Sequence, residues 1–370
     1  MSNELNQDLV VGLDAGGTRT RAVLASAATG RTLGEAAAGP GNALTVPLPQ
    51  LTDRLADAIG RSVPERARRS VVAVVGGFAG AAGAAGSGDF ADFADRDPGR
   101  LNALAALTEA LRRLGIAART VGVSSDIEAA FASAPGTPAD GLALVAGTGA
   151  GATRIVGRRC TATVDGDGWL LGDEGSGFWI GRGAVRAALR MADGRGGPTT
   201  LARAVGLALG LSADLLEGAE GVAGAERATE SGEAGEAGGV VGAGRAEGAA
   251  ARWSAARREA YRMRLLPTVM AQPPITLARL APLVAEAARD KDPVAEAILR
   301  EAVDHLAAAV GALGPRPGER IVVAGGLLGP DGPLTSPLTR RLEDMGLTVD
   351  RVADGCRGAV ALARLGHDSP

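Results

Sequence analysis

Short, nearly unbroken apolar runs alternate along this chain with stretches of helical spacing, and several of the runs close on glycine. Asp8–Leu13 and Thr20–Ser26 are two such runs either side of a glycine turn. With Gly30-Arg31 as the next turn, residues 8–38 predict an antiparallel meander. Ser70–Phe78 (SVVAVVGGF) is apolar almost throughout, as expected of a strand covered on both faces. Thr120–Ser124 predicts a further strand. Apolar positions at helical spacing predict helices over Gln50–Ser62, Pro98–Leu114 and Ile127–Ala134.

The pattern then restarts. Gly141–Ala146 predicts a strand running into a glycine turn, Ala152–Val156 a strand after it, and Gly181–Arg190 a helix. Residues 281–313 carry long helical patterns, Arg320–Ala324 predicts a buried strand, and Gly358–Arg364 a closing helix. Strand, glycine turn and strand thus occur twice, which predicts an α/β chain of two halves with related folds. Residues 216–251 break the pattern. They are Gly, Ala and Glu with almost no bulky apolar residue, and predict a surface insertion dispensable for chemistry.

Composition narrows the picture. A chain of 370 residues exceeds one ordinary core, so two domains are expected. Apolar residues make up 46% but aromatics only 2%, so the core must be built from Ala, Val and Leu. The net charge of −3, without a basic tract, argues against a nucleic-acid partner. Two cysteines, Cys160 and Cys356, are too few for a disulfide framework or a zinc site. The start, MSNELNQD, lacks the basic and apolar segments of a signal peptide, and no apolar stretch approaches the ~20 residues of a membrane span. A cytoplasmic protein without a membrane partner is expected.

Four glycine-rich turns carry the candidate chemistry: 13–20 (LDAGGTRT), 146–151 (AGTGAG), 172–177 (GDEGSG) and 324–327 (AGGL). The first, second and fourth each follow a strand-like run. Glycine lets backbone N–H groups approach phosphate oxygens with no Cβ in the way. One such turn is no more than a hairpin signal. Two half-chains each offering one can close on a single nucleotide. Asp14, at the end of its run, is placed to hold Mg²⁺ at phosphates, and Thr18 adds a hydroxyl donor. Asp126 follows Thr120–Ser124 and opens a helix. The helix is capped through Ser125 or Asp126 on one reading, and on the other Asp126 accepts the proton of a hydroxyl undergoing phosphorylation. Asp173 and Glu174 lie on a glycine-flanked turn before a helix. They read as caps or as a grip on vicinal sugar hydroxyls, with Trp169 as a flat wall for a pyranose. No Walker-type Gly-x-x-x-x-Gly-Lys motif occurs.

Together these residues resemble the actin-like ATPase superfamily of sugar kinases and chaperone ATPases. Within it, residues 168–181 (GWLLGDEGSGFWIG) look like the branch that holds N-acetylglucosamine kinases and the activator ATPases of benzoyl-CoA-type reductases. The likeness spans residues 8–365 apart from the insertion. It implies two ribonuclease-H-like domains around a cleft, with residues 1–124 as the first, 125–356 as the second and the closing helix 357–370 packed on the first. It implies ATP and Mg²⁺, and a homodimer is the expected assembly. Asp14 with Gly16, Gly17 and Thr18 matches the first phosphate motif of the family. Gly147, Thr148 and Gly149 match the second, and Gly325 and Gly326 the adenosine motif. Asp126 matches the catalytic aspartate. Asn42, in Gly39-Pro40-Gly41-Asn42, matches a sugar-binding asparagine, and Asp173 a sugar-binding aspartate.

The chain departs from the family in one place. Amino-sugar kinases of this kind tend to read Gly-Gly-Trp-Gly before the acidic loop, where this chain reads Asp165-Gly166-Asp167-Gly168-Trp169. Either Trp169 takes the tryptophan's role across a two-residue gap, or Asp167 stands in its place. An acid there suits a free ammonium better than an acetamide, so the expected reaction is ATP-dependent phosphorylation of glucosamine at its 6-hydroxyl. N-acetylglucosamine is the alternative substrate, and a reductase-activating ATPase the alternative class. Such activators bind an iron–sulfur cluster across a dimer, and Cys160 and Cys356 lack cluster-like spacing. A sugar-responsive repressor is disfavoured, since Asp14 leaves no room before it for a helix-turn-helix.

Overall fold

The computed structural model describes residues 7–81, 97–216 and 253–368. Most of the insertion read at 216–251 therefore lies outside the described residues. The chain divides into two compact units, Met1–Gly166 with Ala307–Pro370, and Asp167–Leu306.

The first unit holds two five-stranded mixed sheets. Strands β1 (Leu9–Ala15), β2 (Thr20–Ser26) and β3 (Thr32–Ala38) form the expected meander, and β4 (Val71–Phe78) and β5 (Thr120–Ser125) add in parallel, giving the order β3-β2-β1-β4-β5. The second sheet repeats this plan. Strands β6 (Gly141–Ala146), β7 (Ala150–Val156) and β8 (Arg159–Asp165) are antiparallel, and β9 (Arg320–Ala324) and β10 (Thr348–Arg351) run parallel to β6, in the order β8-β7-β6-β9-β10. The two sheets therefore share one topology, the ribonuclease-H-like arrangement of the actin-like ATPase fold.

Helices α1 (Leu48–Ser62) and α2 (Pro98–Leu114) bury Leu51, Leu55, Leu107 and Leu111 on one face of the first sheet, against Leu9, Val11, Leu13 and Val74. The closing helix, which we number α11 (Cys356–Asp368), covers the other face, with Val360 and Ala363 against Val10, Val23 and Ala73. β4 is buried along its whole length, as its unbroken apolar run predicts. Helix α3 (Asp126–Ala132) follows β5 directly, and its Phe131 packs on Ala143, Ile155, Cys160 and Val322 of the second sheet. One short helix thus joins the end of the first sheet to the face of the second.

In the second unit, α4 (Gly177–Ala192), α5 (Leu201–Ala208), α6 (Ala213–Leu216), α7 (Ala255–Met270) and α8 (Ala281–Arg289) are helical, as is α9 (Pro293–Ala312) up to Leu306, its remainder belonging to the first unit. A Cβ on Gly181 of α4 would stand 1.9 Å from the Leu277 carbonyl oxygen, so glycine sets that close approach. Buried Asp292 holds the 199–200 turn through both threonine hydroxyls and the Thr200 N–H. The remaining helix, α10 (Thr335–Asp344), lies between β9 and β10 in sequence. Among the described residues no helix is long and apolar enough to cross a membrane.

Candidate active site

The first glycine turn joins β1 to β2. The Gly16 N–H closes it on the Arg19 carbonyl at 2.9 Å, leaving Gly17 and Thr18 exposed. The loop carrying Asn42 docks on this turn, where the Gly41 N–H donates to the Gly16 carbonyl at 2.9 Å. A Cβ on Gly41 would stand 2.3 Å from Thr20 Oγ1, so only glycine allows the docking. Asn42 Oδ1 accepts from the N–H groups of Leu44 and Thr45 at 2.9 and 3.1 Å. Its carbonyl end is thereby committed to the loop, and a ligand would meet its Nδ2 amide.

The second and fourth glycine turns lie side by side at the ends of β6 and β9. Gly325 adopts φ 106°, and a Cβ there would stand 2.2 Å from the Ala146 carbonyl oxygen. Gly325 is thus demanded by the fold. Gly17, Gly147 and Gly326 are different. Their backbones are not left-handed, and a Cβ on any of them would meet no atom beyond the two adjoining residues within 4 Å. Packing gives no reason for glycine at these positions, whereas a phosphate or ribose lying against the backbone would.

Asp126 opens α3, but it is not the cap. Ser125 is the N-cap: its Oγ accepts from the Glu128 N–H at 3.1 Å, and the Glu128 carboxylate accepts from the Ser125 N–H at 3.0 Å, a reciprocal capping box. The Asp126 carboxylate accepts locally, from the Ile127 N–H at 2.9 Å and from its own N–H. Burial, and then the charge of Asp14, push its carboxyl up to about 6. The pair is close enough for one carboxylate to resist ionisation of the other.

Asp14 is raised as well, mainly by burial; the Gly355 N–H opposes this by donating to Oδ2 at 3.2 Å. Asp354 and Cys356 stand beside it, and ligand atoms of the three residues lie within 4.8 Å of one another. Mg²⁺ selects oxygen, so the thiol is no ligand for it. Asp354 is engaged by Arg21 and by the Cys356 N–H. Asp14 is therefore the carboxylate that fits a Mg²⁺ shared with phosphates.

The acidic glycine loop belongs to the second unit. Asp173 is buried at 7% exposure in a left-handed conformation, φ 57°, a strained geometry for a residue other than glycine. Ser176 caps α4 by accepting from the Trp179 N–H at 3.1 Å. Neither acid is thus needed as the Ser176-type cap. Glu174 is exposed and lies 3.1 Å from His305 Nδ1. Trp169 is 38% exposed with its ring centroid 5.8 Å from that of Phe178, and Asp167 is exposed. These four are held in one unit, while Asp14, Asn42, Asp126 and the open glycines are held in the other.

Sequence reasoning did not place Asp354 beside Asp14 or Glu128 beside Ser125. The Ser125-x-x-Glu128 spacing was a readable capping-box signal. Nothing local marks Asp354, which reaches Asp14 only through the fold.

A model of the BadF/BadG/BcrA/BcrD ATPase family matches residues 11–335. No curated protein matches the chain in sequence. Among solved structures, a proposed N-acetylglucosamine kinase from Chromobacterium violaceum aligns at 20% identity and TM-score 0.59, over 96% of this chain and 99% of that one. A second, from Porphyromonas gingivalis, aligns at 18% identity and TM-score 0.59, over 98% and 100%. A ROK-family transcriptional regulator, a homologue of the E. coli MLC protein, aligns at 13% identity and TM-score 0.50, over 97% and 78%. Identities this low speak to the fold, which chemically different proteins share.

Proposed function

From the premise that this chain belongs to the BadF/BadG/BcrA/BcrD ATPase family, we propose that it transfers the γ-phosphoryl group of ATP to the 6-hydroxyl of an amino sugar, with glucosamine as the substrate. The observation that carries this reading is Asp126, a carboxyl outside the capping bonds of its helix and raised to about 6 beside Asp14. A base near neutrality accepts a hydroxyl proton efficiently.

The roles follow from the residues. The sugar hydroxyl oxygen attacks the γ-phosphorus, its proton passes to Asp126, and ADP leaves. The turns at Gly16, Gly17 and Thr18 and at Gly147, Thr148 and Gly149 cradle the phosphates, and Gly325 and Gly326 border the adenosine. Asp14 would hold Mg²⁺, which when bound would neutralise charge on the phosphates. Asn42, Trp169, Asp173 and Glu174 meet the sugar, and Asp167 meets its ammonium. On this reading the enzyme works in the cytoplasm as a homodimer.

The alternative substrate, N-acetylglucosamine, draws support from the two proposed N-acetylglucosamine kinases that align at TM-score 0.59. The activator class draws less. Cys160 and Cys356 are 4% and 2% exposed, and burial pushes the Cys160 thiol up to about 11, unlike a cluster-binding thiolate at an interface. The deciding experiment is ADP release measured with glucosamine, N-acetylglucosamine, glucose and mannosamine side by side. Stimulation by glucosamine above the others is expected. ATP turnover indifferent to every sugar would end the kinase reading.

A further inference from the structure

Two residues beyond Asp126, the Glu128 side chain has no exposed surface. Its carboxylate does more than cap α3. Oε2 accepts from the Ser125 N–H at 3.0 Å, while Oε1 accepts from the Cys160 N–H of β8 at 2.9 Å. The Arg159 guanidinium stands 3.8 Å away, half exposed. Ser125 Oγ also lies 3.8 Å from Cys160 Sγ. A capping box needs only the Ser125–Glu128 pair and functions at a surface. Taking an ionised carboxylate out of water is costly, and both of its oxygens here are met by backbone donors on two different sheets. The bond to Cys160 is superfluous for the helix cap. It locks the β5–α3 turn to the edge of the second sheet.

We infer that Glu128 is a positioning residue for Asp126: by clamping the Ser125–Ile127 turn to β8, it fixes the direction in which the Asp126 carboxylate is presented. The inference rests on Asp126 being the base of the proposed reaction. The Asp126 carboxylate is met by N–H groups of its own turn, that of Ile127 at 2.9 Å and its own, so its direction is set by the backbone of that turn. The turn is held on one side by its strand and on the other by Glu128. Glu128 itself is enclosed and cannot touch substrate.

The test is a double-mutant cycle. Glu128→Gln keeps the shape of the side chain but removes one acceptor. It should lower kcat by roughly 10- to 100-fold, the effect of a small misplacement of a reacting group, and leave KM for ATP and sugar within about twofold. In an Asp126→Asn background the same change should cost less than about twofold, because the group it orients is gone. Equal losses in both backgrounds would overturn the inference and leave Glu128 a structural residue. If Asp126→Asn alone retains kcat, the base assignment fails first, and the inference with it. Should Glu128→Gln not fold, Ser125→Ala carries the same cycle. It removes the reciprocal bond yet leaves the Cys160 bond, and a smaller loss that also vanishes with Asp126→Asn is expected. An additive loss there overturns the proposal equally.

Discussion

Gly358 of the closing helix and Ala129 of α3 lie so close that a Cβ on Gly358 would stand 1.8 Å from the Ala129 carbonyl oxygen. Ser133 ties the same contact, taking a hydrogen bond from the Gly358 N–H at 2.7 Å and giving one to the Asp354 carbonyl at 2.8 Å. The helix that opens on Asp126 is thus held by a segment more than two hundred residues away, and the segment brings Asp354 and Gly355 to Asp14. Gly358→Ala should force the helices apart at a cost of about 1–3 kcal/mol, the range of an overpacked core. Thermal denaturation would record the loss; an unchanged Tm would show that the contact can relax freely.

Asp126 should give the rate an acid limb. With its carboxyl near 6, the base is lost as pH falls through about 6, and kcat should fall with it. Asp126→Asn should remove that limb and lower kcat by roughly 10²–10⁴-fold. Stability should move the other way. The folded value lies above the unfolded value of about 3.9, so the stability gained from protonation is complete below about pH 4 and lost as pH rises through about 6. Asp126→Asn should therefore raise Tm relative to the native protein at pH 7.5 and not at pH 4. A rate profile flat from pH 5 to 8 would contradict the assignment.

The glycines separate into two kinds, and alanine should reveal which is which. Gly17→Ala and Gly147→Ala place a methyl group where no atom beyond the adjoining residues lies within 4 Å. They should fold with an unaltered Tm and bind nucleotide at least about tenfold more weakly, a loss of about 1.4 kcal/mol. Gly325→Ala combines a left-handed φ with a clash on Ala146, so it should lower Tm. Nucleotide titration of the first two, alongside melting of the third, checks the division. Unchanged nucleotide affinity at Gly17 and Gly147 would mean that these turns do not cradle phosphate.

Substrate choice should follow charge. A charge-assisted hydrogen bond contributes about 1.5–3 kcal/mol, and an acetamide brings bulk without charge. Glucosamine should exceed N-acetylglucosamine by at least about tenfold in kcat/KM, and Asp167→Asn should erode that margin while ATP affinity holds. Competition kinetics with both sugars measures it. Equal or better turnover of the N-acetyl sugar would make the enzyme an N-acetylglucosamine kinase.

Much of the architecture was legible before the fold. β6 and β9 and helix α2 run as their apolar patterns predict, Gly141–Ala146, Arg320–Ala324 and Pro98–Leu114, because buried strands and amphipathic helices write their burial into a local period. β8 (Arg159–Asp165) was not legible. Most of its residues are exposed or half-buried, since it sits at a sheet edge, and its pairing with β7 rather than its composition makes it a strand. β10 escaped for a similar reason: it is four residues long and each residue is exposed or half-buried.

The same division holds at the site. Asp14, Asp126 and the glycine turns are marked by position at the ends of apolar runs, so the sequence by itself determined the repeated strand–turn–strand plan and its candidate acids. Only the tertiary structure decided that Ser125, not Asp126, caps α3, that Gly325 serves the fold while Gly17, Gly147 and Gly326 do not, and that Asp354, Gly355 and Cys356 gather at Asp14. The physical reason is range. Periodicity and turn chemistry act over a few residues, whereas the burial that lifts the Asp126 carboxyl and the bond from Glu128 to Cys160 exist only once distant strands have packed.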